Sequence, residues 1–352
     1  MTLRDALIKR IAAQGPITIA EYMTTALLHP THGYYTTRDP FGTQGDFTTA
    51  PEISQMFGEL IGLCLAQSWL DQGAPSDFVL AELGPGRGTL MADILRATAT
   101  VRGFHTSAQI VLVEASPVLR QAQAEMFKDR TPTWVNGVED IPPGPLWLVA
   151  NEFFDALPIR QFVRDGRGWR ERCVGLDDGQ LTFGLSPLGP QPALDHRRED
   201  TADGDLVELC APATAVMGHI APRIATQGCA LIVDYGDWRS QGDTLQAVRG
   251  HTPSDPLADP GNADLTAHVD FEALAQAAAP AAHTKITPQG VFLERLGITQ
   301  RAETLAQHLR DTALEQHIAA HRRLTHPDEM GNLFKVLGLF PDHAAPPPGL
   351  TR

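Results

Sequence analysis

Residues 78–90, FVLAELGPGRGTL, constrain the fold of this chain more than any other stretch. An apolar run suited to a buried parallel strand ends in Glu82, and three alternate glycines follow at Gly84, Gly86 and Gly88. Apolar residues at helical spacing come next. Because glycine lacks a Cβ, it permits positive φ and a close approach of the backbone to a ligand. The pattern therefore predicts a strand, a tight turn and a helix, with a flat or extended ligand across the turn.

Acids at the ends of two predicted strands indicate the chemistry of that ligand. The dinucleotide fingerprint has the spacing G-x-G-x-x-G and binds a pyrophosphate, whereas here the spacing is G-x-G-x-G with Glu82 ahead of the first glycine. A carboxylate facing the turn repels phosphates and attracts an ammonium or a sulfonium, which favours S-adenosylmethionine over NAD. Residues 109–113 predict a second strand that ends in Glu114, where an acid can bind ribose hydroxyls. The alternative is an ordinary strand-to-helix turn with two solvated acids.

Strands and helical segments alternate after residue 78, which predicts an α/β fold with a doubly wound, Rossmann-like parallel sheet. Ligands of such sheets lie beyond the carboxyl ends of the strands. Residues 133–136 form a candidate third strand, so Asn136 falls where an adenine amino group can be bound. An asparagine in an ordinary turn is the alternative explanation.

The N-terminal part, residues 1–75, is predicted to be a helical segment that carries one long loop at residues 31–50. A loop of this length inside a compact domain is usually functional or disordered. Its content of Asp46, Phe47 and Thr49 suits a lid over a bound nucleoside, and we expect these three residues to contact the cofactor. The alternative is an ordinary connector.

A second informative stretch follows the strand predicted at residues 146–150. Residues 151–158, NEFFDALP, place Asn151, Glu152 and Asp155 directly beyond the end of this central strand, beside the expected methyl donor. Such groups can hydrogen-bond an amine or a guanidinium and point a nitrogen at the methyl carbon. The three are therefore the candidate catalytic residues. The alternative is that Asn151 and Asp155 only cap the following helix.

The remaining pattern predicts that the α/β domain covers residues 76–342 and contains two insertions. Residues 159–205 alternate around two Asp-Gly pairs, which are hairpin signals and predict an antiparallel excursion. The second insertion covers residues 240–325 and includes a long helix at about 301–323. Residues 343–352 form a Pro-rich tail that is expected to be disordered.

The charge and the spacing of the cysteines indicate which partners and which kinds of site are expected. The chain has 28 basic and 42 acidic residues, a formal charge of −14, which disfavours nucleic acid and suits a basic protein substrate. The four scattered cysteines and the lone helical histidines predict neither a disulfide framework nor a metal site. The start of the chain lacks an apolar signal segment, and no run approaches a membrane span. A cytoplasmic location is therefore expected, or an organelle if a targeting peptide has been removed.

The sequence resembles the MidA-like proteins over almost its whole length. The resemblance rests on residues 45–59, GDFTTAPEISQMFGE, on 82–90, on 151–158 and on Asp234-Tyr235-Gly236. It implies a class I methyltransferase fold, S-adenosylmethionine as donor, and symmetric dimethylation of an arginine in a subunit of respiratory complex I. At Asn136 this chain departs from the family pattern, in which an acid is frequent.

Two classes of function follow from these residues. In the first, an arginine guanidinium is held by Glu152 and Asp155 while the donor lies across the glycine turn. In the second, the chain is a scaffold or assembly factor that uses the methyltransferase fold without catalysis, because fold does not fix function. Methylation of a nucleic-acid base is disfavoured, since the prolines expected after Asn151 are missing and the chain is acidic. The pattern leaves the oligomeric state open.

Overall fold

The computed structural model describes residues 1–37, 48–128 and 130–352. These residues form two compact units. The first contains the described residues of Met1–Phe47 with Asp155–Ala213 and Arg239–His268, and the second contains those of Thr48–Phe154 with Thr214–Trp238 and Val269–Arg352. Each unit is therefore assembled from separated segments of the chain.

The helices have the following bounds within the described residues: α1 Leu3–Gln14, α2 Ile19–Leu28, α3 Tyr34–Thr37, α4 Ala50–Ile53, α5 Gln55–Asp71, α6 Thr89–Ala97, α7 Phe104–Ser107, α8 Pro117–Met126, α9 Ala211–Thr226, α10 Phe271–Ala277, α11 Gln289–Arg295, α12 Ile298–Ala306, α13 Asp311–Thr325 and α14 Met330–Leu333. Short 3-10 helices cover Thr98–Thr100, Val138–Asp140 and Pro192–Arg197.

The strands have these bounds: β1 Ile17–Thr18, β2 Phe78–Leu83, β3 Ala108–Val113, β4 Thr133–Val135, β5 Leu146–Asn151, β6 Arg160–Asp165, β7 Gly168–Asp177, β8 Gln180–Leu185, β9 Leu206–Leu209, β10 Gly228–Asp237, β11 Gln246–Arg249, β12 Thr252–Ser254, β13 Asp264–Thr266, β14 Val269–Asp270, β15 Ala282–His283, β16 Thr287–Pro288 and β17 Phe334–Phe340.

The second unit is built on a central sheet with the strand order β15-β17-β10-β5-β2-β3-β4. The strands β10, β5, β2, β3 and β4 are parallel, which confirms the predicted Rossmann-like α/β fold. The strand β17 runs antiparallel to both β10 and β15, whereas the sequence pattern predicts only parallel strands. The helices α11 to α14 lie between β16 and β17 in the chain. Both strands belong to the same edge of the sheet, where Thr287 of β16 pairs with Val336 near the start of β17.

Burial explains the sequence pattern of the central strands. Every residue of β2 and β5 is buried, so each strand is a nearly continuous apolar run instead of an alternating one. The helices α5 and α6 share this core, and a Cβ on Gly62 of α5 would lie 2.9 Å from the Cα of Ile94 of α6. Leu83 pairs with Ala150, so the carboxyl ends of β2 and β5 meet at one edge of the sheet.

The first unit contains an antiparallel sheet with the order β1-β7-β6-β9, in which β8 pairs with β7. Both predicted hairpins are confirmed. Asp165 pairs with Gly168 across one turn, and Asp177 pairs with Gln180 across the other. In the second turn Asp178 and Gly179 both have positive φ, as a two-residue hairpin turn requires. A smaller antiparallel sheet, β12-β11-β13, belongs to the same unit.

Two expectations for the C-terminal part are wrong. The long helix predicted at 301–323 is two helices, α12 and α13, because the chain turns at Asp311, whose φ is +50°. The two helices contact each other where His317 Nε2 lies 3.0 Å from the carbonyl oxygen of Ala302. The Pro-rich tail is ordered, since Leu350 is buried in the main core and the Lys285 N–H donates to the carbonyl oxygen of Thr351.

Among the helices of the described ranges, none has both the length and the apolar composition that a membrane span needs.

Candidate active site

The glycine turn lies between the end of β2 and the start of α6. Gly84, Gly86 and Gly88 have φ values of 60°, 53° and 90°, which L side chains rarely adopt. Two of them are also sterically confined. A Cβ on Gly84 would lie 2.9 Å from Cδ2 of Phe153, and one on Gly88 would lie 2.8 Å from Cε2 of Phe127. The predicted strand, turn and helix are therefore confirmed, and glycine is required there for packing as well as for conformation.

Glu82 is a buried acid beneath this turn, with a relative exposure of 3%. Among the described residues, its Oε2 atom is buried and has no hydrogen-bond partner. Burial raises the pKa of Glu82 to about 8, Glu114 adds to the rise, and the backbone N–H of Met91 acts against it. A buried carboxylate of this kind needs a proton or a cationic partner.

Glu114 follows β3 and is tied to the glycine turn through Gln123. The Ser116 N–H donates to Glu114 Oε1 over 2.7 Å, and Gln123 Nε2 lies 3.5 Å from the other carboxylate oxygen. Gln123 Nε2 also donates to the carbonyl oxygen of Gly86 over 2.6 Å, and Gln123 Oε1 accepts from Trp134 Nε1 over 2.7 Å. Burial raises the pKa of Glu114. Gln123 thus connects the turn, Glu114 and β4.

Gln123 was missed by sequence reasoning. It is fully buried and lies four residues after Leu119, which is the other buried residue of α8. A polar residue on the apolar face of a helix next to a ligand turn is the signal that could have revealed it.

Asn136 lies directly beyond β4, at the carboxyl end of the sheet as predicted. Its Oδ1 atom accepts from Arg120 over 2.9 Å, and Arg120 Nε donates to the carbonyl oxygen of Glu114 over 2.7 Å. Asn136 is exposed, and its carbonyl group is engaged by Arg120. The structure therefore brings Asn136 and Glu114 to one place through Arg120.

Asn151 and Glu152 lie at the carboxyl end of β5. Glu152 has φ of +51°, an uncommon backbone conformation for a residue with a side chain. Its Oε1 atom accepts from the N–H of Ala50 and from Nδ2 of Asn151, each over 3.2 Å. Within the described ranges, the buried Oδ1 atom of Asn151 has no hydrogen-bond partner. Thr49 immediately precedes Ala50 in the chain.

The residues after Glu152 are held by a buried acid of the neighbouring strand. Asp234 of β10 is fully buried, and its Oδ2 atom accepts from the N–H groups of Phe153 and Phe154 over 3.2 and 2.9 Å. Its Oδ1 atom accepts from the N–H of Tyr235 over 3.0 Å. Because the Phe153 ring lies against Gly84, the Glu152–Phe154 turn contacts the glycine turn.

Not all of the candidates belong to the second unit or to the described residues. Asp155 belongs to the first unit, where it is buried and its backbone carbonyl accepts from the N–H of Ala267 over 2.9 Å. In the same unit Tyr35 donates to Asp264 over 2.8 Å. Asp46 and Phe47 lie outside the described residues.

Known proteins share this sequence pattern. A family model of S-adenosyl-L-methionine-dependent methyltransferases matches residues 60–289. The mitochondrial protein arginine methyltransferase NDUFAF7 of Danio rerio is 40% identical, over 95% of this chain and 86% of its own length. The chain belongs to this methyltransferase family. The human NDUFAF7 protein is 36% identical, over 95% of this chain and 82% of its own length.

A solved structure supports the same assignment. A crystal structure of a protein from Burkholderia thailandensis, bound to S-adenosyl-homocysteine, matches with a TM-score of 0.83 and 30% identity. The match covers 96% of this chain and 91% of that chain. The protein described here is therefore a MidA-like, S-adenosylmethionine-dependent methyltransferase of the class I fold.

The site itself fits this cofactor. When it is ionised, the buried Glu82 carboxylate needs a cationic partner, and S-adenosylmethionine carries an ammonium group and a sulfonium. At the glycine turn a Cβ on Gly84 or Gly88 would meet a neighbouring ring. These features match a positively charged nucleoside better than a pyrophosphate, as the spacing of the glycines predicts.

Proposed function

We propose that this methyltransferase transfers a methyl group to an arginine side chain of a protein. The observation that carries the proposal is the Glu152 carboxylate, which is held on a positive-φ turn directly beside the glycine turn. Phe153 forms the contact between the two turns, so an acceptor bound at Glu152 would lie beside the donor.

S-adenosylmethionine supplies a methyl group activated by the positive sulfur. In our proposal the cofactor lies across Gly84, Gly86 and Gly88. Glu82 binds its ammonium group as a charge-assisted partner, and Glu114 accepts from its ribose hydroxyls.

The proposal also includes contacts to the adenine and contacts from the lid. We keep Asn136 as the residue beside the adenine, where its amide nitrogen is the group able to donate. We also keep Asp46, Phe47 and Thr49 as lid contacts, and Thr49 directly precedes Ala50, whose N–H donates to Glu152.

On the acceptor side, Glu152 would bind a guanidinium nitrogen and leave another nitrogen directed at the methyl group. Guanidinium is protonated at all ordinary pH values and is a weak nucleophile, so localising its positive charge next to a carboxylate is what the site must contribute. Asn151 orients the Glu152 carboxylate through its Nδ2 atom. Asp155 is retained as a second acid for the guanidinium, and it is the first residue to test separately. Alignment of the two reactants supplies much of the remaining rate.

Arginine is preferred as acceptor for two reasons. The relatives of Danio rerio and human carry the name protein arginine methyltransferase. A formal charge of −14 also suits a basic protein substrate. Symmetric dimethylation, a complex I subunit as substrate and a role in complex I assembly are proposed from family resemblance. The relatives are named mitochondrial, and for this chain we propose the cytoplasm or the interior of an organelle.

The test uses S-adenosylmethionine with a radiolabelled methyl group and two peptide libraries that differ only in a fixed central arginine or lysine. We expect label in the arginine library alone, and mass spectrometry of the product distinguishes monomethyl, symmetric and asymmetric forms. Glu152→Gln should lower the rate at least about tenfold with unchanged affinity for S-adenosyl-homocysteine. Glu139→Gln, an exposed acid of the same unit, is the matched control.

Two results would oppose the proposal. Full methyl transfer by Glu152→Gln would remove the assigned role of that carboxylate. A protein that binds S-adenosyl-homocysteine, labels neither library and captures a cellular partner equally well with Glu152→Gln would instead favour the scaffold function.

A further inference from the structure

The Asp234-Tyr235-Gly236 segment is part of the family pattern, yet the proposed chemistry does not use it. Asp234 is fully buried at the carboxyl end of β10, where Val233 pairs with Asn151 of β5. A buried carboxylate is costly unless several donors satisfy it. Three backbone N–H groups donate to Asp234, and two of them belong to Phe153 and Phe154 of the neighbouring segment.

These two hydrogen bonds fix the backbone directly after Glu152, a residue with positive φ. Glu152 has φ of +51°, a backbone conformation that is strained for a residue with a side chain. Such a conformation persists only where its surroundings fix it. The N–H of Glu152 donates to the carbonyl oxygen of Val233 over 2.9 Å, so three successive N–H groups after Asn151 are bound by β10.

The same bonds determine where Phe153 lies. Its ring touches the position that a Cβ on Gly84 would occupy, at 2.9 Å from Cδ2. It also packs edge-on against the Phe154 ring, with the centroids 5.3 Å apart. Asp234 therefore positions both Glu152, the residue proposed to bind the acceptor guanidinium, and Phe153, whose ring packs against the glycine turn.

We propose that Asp234 is a positioning residue for methyl transfer, which holds Glu152 in its active orientation through the backbone N–H groups of Phe153 and Phe154. The assignment to catalysis rests on the proposed role of Glu152. The claim that Asp234 fixes the backbone of residues 152–154 rests on the hydrogen bonds alone. An experiment can therefore refute the catalytic claim without refuting the structural one.

The decisive variant is Asp234→Asn, which keeps the shape of the side chain and replaces one acceptor oxygen with a donor. Asp237→Asn is the matched control, because it makes the same change on the same strand and its carboxylate also accepts a backbone N–H, that of Trp238. Each variant is measured for affinity to S-adenosyl-homocysteine, for kcat and KM with the best arginine peptide, and for hydrogen-deuterium exchange of peptides covering residues 150–156.

We expect Asp234→Asn to lower kcat about tenfold or more, to change the affinity for S-adenosyl-homocysteine less than about threefold, and to speed exchange at residues 153 and 154. Asp237→Asn should leave all three unchanged. In a double-mutant cycle with Glu152→Gln, adding Asp234→Asn should slow transfer by no more than about twofold further, because both changes remove the same function.

Fully additive effects would overturn the proposal, since they would mean that Asp234 acts independently of Glu152. Unchanged exchange at residues 153 and 154 in Asp234→Asn would overturn it as well. If that variant does not fold, exchange in the wild-type protein decides the question, because unprotected Phe153 and Phe154 amides contradict the hydrogen bonds. If Glu152→Gln retains full activity, the proposed acceptor site is wrong. The exchange data still test whether Asp234 binds the N–H groups of Phe153 and Phe154.

Discussion

The affinity of the ligand-free protein for the cofactor should depend on pH through Glu82. The carboxyl group is buried beneath the glycine turn, and its pKa is raised to about 8. Below that pH it is protonated, whereas an ammonium ligand is bound by the ionised form. Binding of S-adenosyl-homocysteine below pH 8 therefore requires loss of a proton, and affinity falls as the pH falls.

The size of the effect follows from the ionised fraction. About half of the Glu82 carboxyl groups are ionised at pH 8 and about 1% at pH 6, so the affinity should fall about 50-fold over this range. At 1.4 kcal/mol per factor of ten this is about 2 kcal/mol of binding free energy. Titration calorimetry at pH 6, 7 and 8, in buffers of different ionisation enthalpy, measures both the affinity and the released proton.

The substitution Glu82→Gln tests whether Glu82, and not another titrating group, causes the pH dependence of binding. It should weaken binding at pH 8 and remove most of the pH dependence. An affinity of the wild-type protein that stays constant between pH 6 and pH 8 would refute the reasoning. So would an equal dependence on pH in Glu82→Gln.

Ionisation of Glu82 also affects the stability of the ligand-free protein. Cofactor affinity rises with pH, whereas this stability falls with pH. Between the ordinary pKa of 4.5 and about 8, the folded state retains a proton that the unfolded state has lost, so the free energy of unfolding falls as pH rises. At 1.36 kcal/mol per pKa unit, the ionised group costs at most about 5 kcal/mol above pH 8. Glu82→Gln should therefore raise the unfolding temperature at pH 8 relative to the wild type, while it weakens cofactor binding.

Three further predictions concern packing and charge. Gly84→Ala should lose affinity for S-adenosyl-homocysteine in calorimetry, and adding Phe153→Ala should restore part of it, because the new methyl group meets that ring. Gln123→Leu should lower the same affinity about tenfold, since a buried carbonyl of the glycine turn loses its donor, whereas Gln121→Leu at an exposed position should not. Glu59→Gln should cost about 2 kcal/mol of unfolding free energy in urea.

The last prediction has a pH signature. Burial favours the neutral form of Glu59, but hydrogen bonds from Arg301 and Arg96 outweigh it and hold the pKa of this carboxyl below its usual value. The stabilisation is thus present above the ordinary pKa and is lost as the pH falls through the lowered one. If wild type and Glu59→Gln differ in stability by the same amount at pH 3 and pH 7, this explanation is wrong.

Local signals in the sequence were sufficient for much of the fold. The capping box of Thr18 and Glu21 at the start of α2 is an example of a local signal, because both of its residues are close in sequence. The buried strand, the glycine turn and the acid Glu82 could be predicted for the same reason. The proposed roles of the site residues and the domain boundaries at 75 and 342 remain predictions.

Features that depend on distant partners could not be predicted in this way. The role of Gln123 requires knowing that α8 faces the glycine turn, and the hydrogen bonds of Asp234 to the 153–154 backbone join segments 80 residues apart. Likewise, the order of the Pro-rich tail depends on distant residues, because Leu350 is buried in the main core and a Cβ on Gly349 would lie 3.0 Å from Cδ2 of Phe292. Proline content alone favours an extended chain but carries no information on such packing.

The position of β17 between β10 and β15 has a consequence for synthesis on the ribosome. Until residue 340 has been made, β10 presents one edge without its long partner, although its apolar residues are already complete by residue 237. Sheet edges of this kind pair readily with other chains. During translation the nascent protein should therefore pass through an aggregation-prone interval of about 100 residues, and chaperone occupancy should end when β17 closes the sheet.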